Sequence, residues 1–200
     1  MTLIKIIEIM AILVGAFSGF AEARSKRMDV VGVFTVAFIT AFGGGTLRDI
    51  LLDRRPLFWV IHQEYAILIF LLSLAAVPMM RLAKKVVPET VVILADALGL
   101  GLFSIAGVAV ALDQGMPLFV AAMMGVITGI FGGILRDIVC NEIPMVLRDG
   151  KPYAICAFLG CWAYLLMQKV GIPPDFALWA SALLIVVSRM VTWAKNVRIE

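Results

Sequence analysis

Histidine is almost missing from this 200-residue chain, with His62 standing alone. That excludes a bis-histidine haem or a histidine-rich metal site, each of which needs a second imidazole. Cysteine is scarce as well. Cys140, Cys156 and Cys161 lack metal-ligand spacing and sit in or beside apolar runs, where a free thiol packs as a small hydrophobe. Charge is thin, at 16% Asp, Glu, Lys and Arg against about 25% in an ordinary globular chain. A net charge of +3 gives no reason to expect a nucleic-acid partner. There is no Ser-His pair for nucleophilic catalysis and no polar stretch long enough for a separate soluble catalytic domain. The sequence does not read as an enzyme.

What fills the chain is apolar: 62% hydrophobic residues and a mean hydropathy of +1.04. At about 20 apolar residues per bilayer crossing, seven spans would use roughly 140 positions. Reading apolar runs between charged or Pro/Gly breaks yields seven spans, at 2–23, 29–52, 64–82, 89–112, 116–140, 152–170 and 174–195. The expected fold is therefore an all-α membrane protein of seven transmembrane helices in a single domain over 1–200. Lys5, an apolar stretch and Ala21-Glu22-Ala23 mimic a signal peptide, but Glu8 interrupts the apolar core, so span 1 reads as retained. Ten cations fall on the side of the 1–2, 3–4 and 5–6 loops and the C-terminus, and four on the other. The positive-inside rule then puts the N-terminus outside and the C-terminus in the cytoplasm. The clusters Arg24/Lys26/Arg27 and Arg81/Lys84/Lys85 lie on the inner side, where they set topology and can meet anionic lipid headgroups.

The chain resembles itself. At an offset of 88 residues, Gly44-Gly45-Thr46-Leu47-Arg48-Asp49-Ile50 matches Gly132-Gly133-Ile134-Leu135-Arg136-Asp137-Ile138. The same ungapped offset pairs Gly19 with Gly107, Thr40 with Thr128, Pro56 with Pro144, Tyr65 with Tyr153, and acidic Glu8 with Asp96. Repeat 1 covers about 1–83 and repeat 2 about 88–171, with an added seventh helix at about 174–195. Three spans per copy is an odd number, so the copies are expected to be inverted in the membrane, a pattern of transport proteins.

Span 2 carries Gly43-Gly44-Gly45 and span 5 carries Gly129, Gly132 and Gly133. Glycine costs a helix roughly 1 kcal/mol relative to alanine, and loosened backbone in lipid is tolerated only against protein or a wet cavity. We therefore expect a kink at each glycine site, with close packing through small residues as the competing reading. Gly15, Gly19, Gly99, Gly101 and Gly107 suit the packing role. On the kink reading, Gly44→Leu should stop permeation and leave assembly nearly intact. Arg48-Asp49 and Arg136-Asp137 follow the glycines. Residues i and i+1 diverge on a helix, so each arginine should find its partner elsewhere. Depth along the spans, at 1.5 Å per residue, matches Glu8 to Arg48 and Asp96 to Arg136. A lone charge at mid-membrane costs about 2.5–3.5 kcal/mol, and two ion pairs are expected. Arg189, near the inner end of span 7, is expected to snorkel.

This pattern of paired Gly-Gly and Leu-Arg-Asp elements in a repeated three-helix unit resembles the trimeric intracellular cation channel family, and more narrowly its bacterial members, the glycine-transporter domain family. The resemblance covers nearly the whole chain. It implies a homotrimer with a potassium-permeable pore in each subunit, lined mainly by spans 2 and 5. Gly43, Gly44, Gly45, Gly132 and Gly133 would be the pore glycines, with Arg48, Asp49, Arg136 and Asp137 beside them. Phe131 departs from a full second triple glycine, a gap that Gly129 can relieve. No cofactor is implied, only a permeant K⁺ or Na⁺ in the pore. The expected location is the inner membrane of a bacterium. Secondary transport of a small zwitterion such as glycine is the alternative, since inverted repeats and broken helices serve alternating access equally well.

Overall fold

The computed structural model describes residues 2–82, 88–148, 150 and 152–197. Its described residues form helices α1 (Thr2–Ser25), α2 (Val30–Leu51), α3 (Phe58–Ile61), α4 (Gln63–Leu82), α5 (Glu89–Asp113), α6 (Leu118–Val139), α7 (Tyr153–Lys169) and α8 (Pro174–Ala194). A 3₁₀ turn spans Met145–Leu147. The seven long helices coincide with the seven expected spans to within a few residues. By length and composition, five of them (Lys5–Ser25 of α1, then α2, α5, α6 and α8) can cross a membrane. The described apolar part of α4 is Gln63–Ala76, and α7 has 17 residues, about 26 Å at 1.5 Å per residue, at the short limit for a crossing.

The helices end in the same way at matching positions. Arg27 and Gly115, 88 apart, take left-handed φ values of 55° and 71°, closing α1 and α5. Asp53 and Asn141, also 88 apart, do the same at 50° and 58° after α2 and α6. At each, the next amide bonds back across the last turn: Arg54 N to Asp49 O at 2.8 Å, and Glu142 N to Asp137 O at 2.8 Å. These are Schellman-type closures, which satisfy helix-end carbonyls that lipid cannot. Asp29 caps α2 through a bond from Gly32 N.

Packing follows the duplication. Helix α1 packs on α2 as α5 packs on α6, and the halves meet where α1 lies on α5 and α2 on α6. Helix α8 rests on α5 and α7. Helix α5 is buried along most of its length, with small residues at Ala95, Ala97, Gly99, Gly101 and Ala106 admitting its neighbours. By contrast, α4 buries Ile69 and Ser73 while exposing Ile67, Phe70, Leu71 and Leu74, an apolar face suited to lipid tails rather than water. The three cysteines are free and buried.

Candidate functional site

Two polar clusters sit inside this apolar bundle. In the first, Arg48 of α2 is 2% exposed and its Nη1 donates to Glu8 Oε1 of α1 at 3.1 Å. Nε also donates to Asp49 Oδ1 at 2.9 Å, and Nη2 lies 2.9 Å from the same oxygen. Asp49 further accepts from Arg54 Nη1 at 3.2 Å and, through Oδ2, from the Phe58 amide at 3.1 Å, which pins α3 beneath the end of α2. In the second, Arg136 Nη1 donates to Asp96 Oδ1 of α5 at 3.1 Å and Nε to Asp137 Oδ1 at 2.8 Å. Asp137 Oδ2 accepts from the Met145 amide at 2.8 Å and so holds the 3₁₀ turn as Asp49 holds α3.

The structure thus brings Glu8 to Arg48 and Asp96 to Arg136. It departs from expectation in giving each arginine its sequence neighbour as well. Although i and i+1 diverge on a helix, a guanidinium on three methylenes is long enough to fold back onto the short aspartate beside it.

Several partners carried little sequence signal. Ser18 of α1 accepts from Arg136 Nη1 at 2.6 Å, and Tyr153 donates its hydroxyl to Asp96 Oδ2 at 2.7 Å. Tyr153 was visible only as half of a matched pair, and its repeat counterpart Tyr65 instead stacks near Phe58 and His62. Arg189 does not snorkel. It is 1% exposed, its Cζ lies 4.7 Å over the Tyr153 ring, and Nη2 contacts Met145 Sδ at 3.3 Å. Among the described residues its Nε and Nη1 have no hydrogen-bond partner. Helix α8 packs so closely on α5 and α7 that the side chain is enclosed within the bundle.

Some of the glycines serve close approach between helices. Helices α2 and α6 run as unbroken α-helix through Gly43-Gly44-Gly45 and through Gly129, Gly132 and Gly133. A Cβ on Gly44 would lie 2.0 Å from the Thr128 carbonyl oxygen, and one on Gly132 would lie 2.4 Å from that of Thr40. These are reciprocal contacts between repeat-equivalent residues, where the two helix backbones cross with nothing between them. Gly129 abuts Ser104 and Leu100 of α5 in the same manner. Close approach, the competing reading, fits these three. A Cβ on Gly43 would meet only the end of the Leu135 side chain within 3 Å, whereas Gly45 and Gly133 have open space.

That open space belongs to two cavities. One is lined by Glu8, Arg48, Gly45 and Thr46 with Phe42, Phe58, Trp59 and Phe103. The other is lined by Asp96, Arg136, Gly132, Gly133, Ser18 and Tyr153, again with Phe103. Each offers about 20 Å³ to water centres, above the ~10–15 Å³ that one water requires. Each chamber combines a mostly apolar lining with one buried acid–arginine cluster, and each has room for a single water-sized solute. Among the described residues no cluster of His, Cys, Asp and Glu could hold a metal ion.

Of the basic residues assigned to lipid, Arg24 lies in the last turn of α1, Lys26 and Arg27 follow in the turn after it, and Lys26 is engaged by Glu142. Arg81 lies in α4, while Lys84 and Lys85 lie outside the described residues, as do Lys151 and Arg198 of the charge count. Hydrogen bonding to Glu142 raises the Lys26 pKa, and the same bond lowers that of Glu142. With Glu142 depressed and Lys26 raised, the clasp is complete at neutral pH. It is lost as pH falls through the lowered Glu142 value, or as it rises through the raised Lys26 value. In Lys26→Met, the Glu142 carboxyl should titrate closer to its ordinary 4.5 when followed by carbon NMR. An unchanged titration would mean that the clasp does not form in solution.

Comparison with known proteins gives this architecture its place. A profile of the glycine transporter family matches residues 5–81 and again residues 93–169, the same 88-residue offset as the internal repeat. The Escherichia coli K12 inner membrane protein YadS, of the UPF0126 group, is 37% identical over 154 residues, 77% of this chain and 73% of its own length. Bacillus subtilis YvgT, a UPF0126 membrane protein, is 30% identical over 192 residues, 96% of this chain and 93% of its own. The crystallised Rhodobacter sphaeroides orthologue of the trimeric intracellular cation channel superposes with a TM-score of 0.90 at 30% identity, covering 98% of this chain and 100% of that one. The fold and its paired sites are those of an α-helical membrane protein built from a duplicated unit. The chain belongs to the glycine transporter family, the group that includes bacterial trimeric intracellular cation channels.

Proposed function

We propose that this protein is a channel for monovalent cations, potassium foremost, acting as a homotrimer with a separate pore in each subunit. The observation that carries this reading is the pair of buried acid–arginine clusters, 88 residues apart, each lining its own water-sized cavity on either side of the α2–α6 crossing. Each arginine is neutralised within its cluster, which removes the obstacle a bare guanidinium would present to a cation. Arg48 commits all three nitrogens to carboxylates, with Glu8 engaging it through Oε1, so a passing cation meets carboxylate oxygen rather than bare guanidinium. The Rhodobacter relative is described as a trimeric cation channel, which agrees with this reading.

On the same proposal α4 and α7 also cross the bilayer, giving seven spans. Repeats 1–83 and 88–171 run in opposite senses with α8 added, the N-terminus is outside, and the C-terminus faces the cytoplasm of a bacterial inner membrane. Gly43, Gly44, Gly45, Gly129, Gly132 and Gly133 form the waist and its flanks. Arg24, Lys26, Arg27, Arg81, Lys84 and Lys85 face anionic headgroups.

The test is single-channel recording of purified protein in planar bilayers under bi-ionic KCl and NaCl. Discrete unitary currents, with a reversal potential set by the cations and shifted toward potassium, are expected. The family's description also favours a second reading, coupled transport of glycine. Saturable, gradient-driven glycine uptake in liposomes without unitary currents would establish that reading and overturn the channel.

A further inference from the structure

The two halves match at an offset of 88 residues, and that register places Gly15 of α1 opposite in kind to Phe103 of α5. A hydrogen atom in one copy is replaced by a phenyl ring in the other. The pair also meets in space: a Cβ on Gly15 would lie 3.3 Å from Phe103 Cε2. Phe103 lines both chambers, and among the described residues no other is shared between their linings.

We propose, building on the channel reading above, that the Phe103 ring is the single apolar plug separating the outer chamber from the inner one, and that its side-chain rotation sets whether the pore conducts. The surroundings of the ring favour this role. Around Gly15, the Ala41 Cα and the Thr40 carbonyl oxygen would lie 3.2 and 3.4 Å from an added Cβ. That wall is backbone, fixed by the α1–α2 packing, and it cannot yield. The ring is the part that can move. It takes part in none of the aromatic pairs that tie Phe38 to Phe42 and Trp59, and it is half-buried where its chain neighbours Ser104 and Ile105 are fully buried. Two rotatable bonds therefore separate a dry waist from a continuous wet path, and an apolar constriction of this kind gates by dewetting. Because only one repeat supplies the ring, the barrier lies off the symmetric midpoint and faces unlike chambers. In the outer chamber Glu8 meets Arg48 through Oε1, and in the inner one Asp96 has both oxygens engaged.

The experiment is a size series at position 103 in the full-length purified protein, reconstituted in planar bilayers with KCl. Phe103→Ala should raise the time-averaged current per channel on the order of tenfold, the change for a barrier lowered by about 1.4 kcal/mol. It should also admit tetramethylammonium where the parent excludes it. Phe103→Leu should give a smaller rise and Phe103→Trp a fall. Melting temperature and gel-filtration volume confirm assembly, and the Leu and Trp variants carry the test if the alanine variant does not assemble. Parent currents that persist unchanged through the series overturn the plug and leave the channel standing. Absence of current in both parent and Phe103→Ala overturns both. Current in Phe103→Ala from a silent parent supports both.

Discussion

Gly44→Ala should cost the protein about 3 kcal/mol or more of stability, since it is an overpacking substitution at the upper end of its class. The new methyl would fall 2.0 Å from the Thr128 carbonyl oxygen, and both partners are helix backbone with no side chain able to turn aside. The neighbouring positions supply an internal control within one triplet. At Gly45 the nearest atom to a new Cβ is Arg48 Nη2 at 3.9 Å, so Gly45→Ala should be tolerated and should gain about 0.4–1 kcal/mol from a stiffer unfolded chain. Gly43→Ala should fall between, because its contact at 2.8 Å is Leu135 Cδ1, the movable end of a flexible side chain. Thermal unfolding in detergent, followed by gel filtration, checks the order 45, 43, 44 from mildest to most severe. The same logic repeats at Gly133 and Gly132, where the nearest atoms are 3.8 Å and 2.4 Å away. Equal melting points across the triplet would remove the close helix crossing from the account. This geometry also revises what the sequence suggested for Gly44→Leu. A variant that blocks permeation while assembling normally is not expected at a position where even one methyl has no room.

Arg136→Met should be the most damaging change among the charged residues, at about 3–5 kcal/mol, the cost of breaking a buried ion pair. It leaves Asp96 and Asp137, each 7% exposed, facing one another's charge without a cation between them. Arg48→Met should cost less, because Asp49 keeps Arg54 at 3.2 Å and only Glu8 is orphaned. Adding Asp96→Asn to Arg136→Met should recover part of the loss, since one of the two stranded charges is removed, and contacting residues couple in this way. Melting temperatures of the single and double variants test the series. An Arg136→Met protein as stable as its parent would mean that chamber water already solvates these carboxylates.

The helices themselves were legible because hydropathy marks them directly. Each long helix begins and ends within a few residues of its expected span, where Pro117, Pro152, Pro173 and charged loops break the apolar runs. The pairs Glu8–Arg48 and Asp96–Arg136 were legible because buried charge in lipid demands a partner, and depth along the helices left few candidates. Tyr153, Ser18 and Arg189 were harder to see. A tyrosine, a serine and an end-of-helix arginine have ordinary roles at an interface, and only packing encloses them. The short elements Phe58–Ile61 and Met145–Leu147 gave no periodic signal, since an aspartate side chain several residues upstream holds each in place.

By itself the sequence determined the limits of the long helices, the duplication, and which charges must be matched inside the bundle. Hydrophobic length and the energetic penalty for lone ions in lipid act locally, so they are written along the chain. Only the tertiary structure decided which glycines meet a neighbouring backbone and where Arg189 points. Those outcomes depend on how closely two helices approach across tens of residues of intervening chain. A glycine that admits a neighbouring backbone has the same one-letter signature as one that bends its own helix.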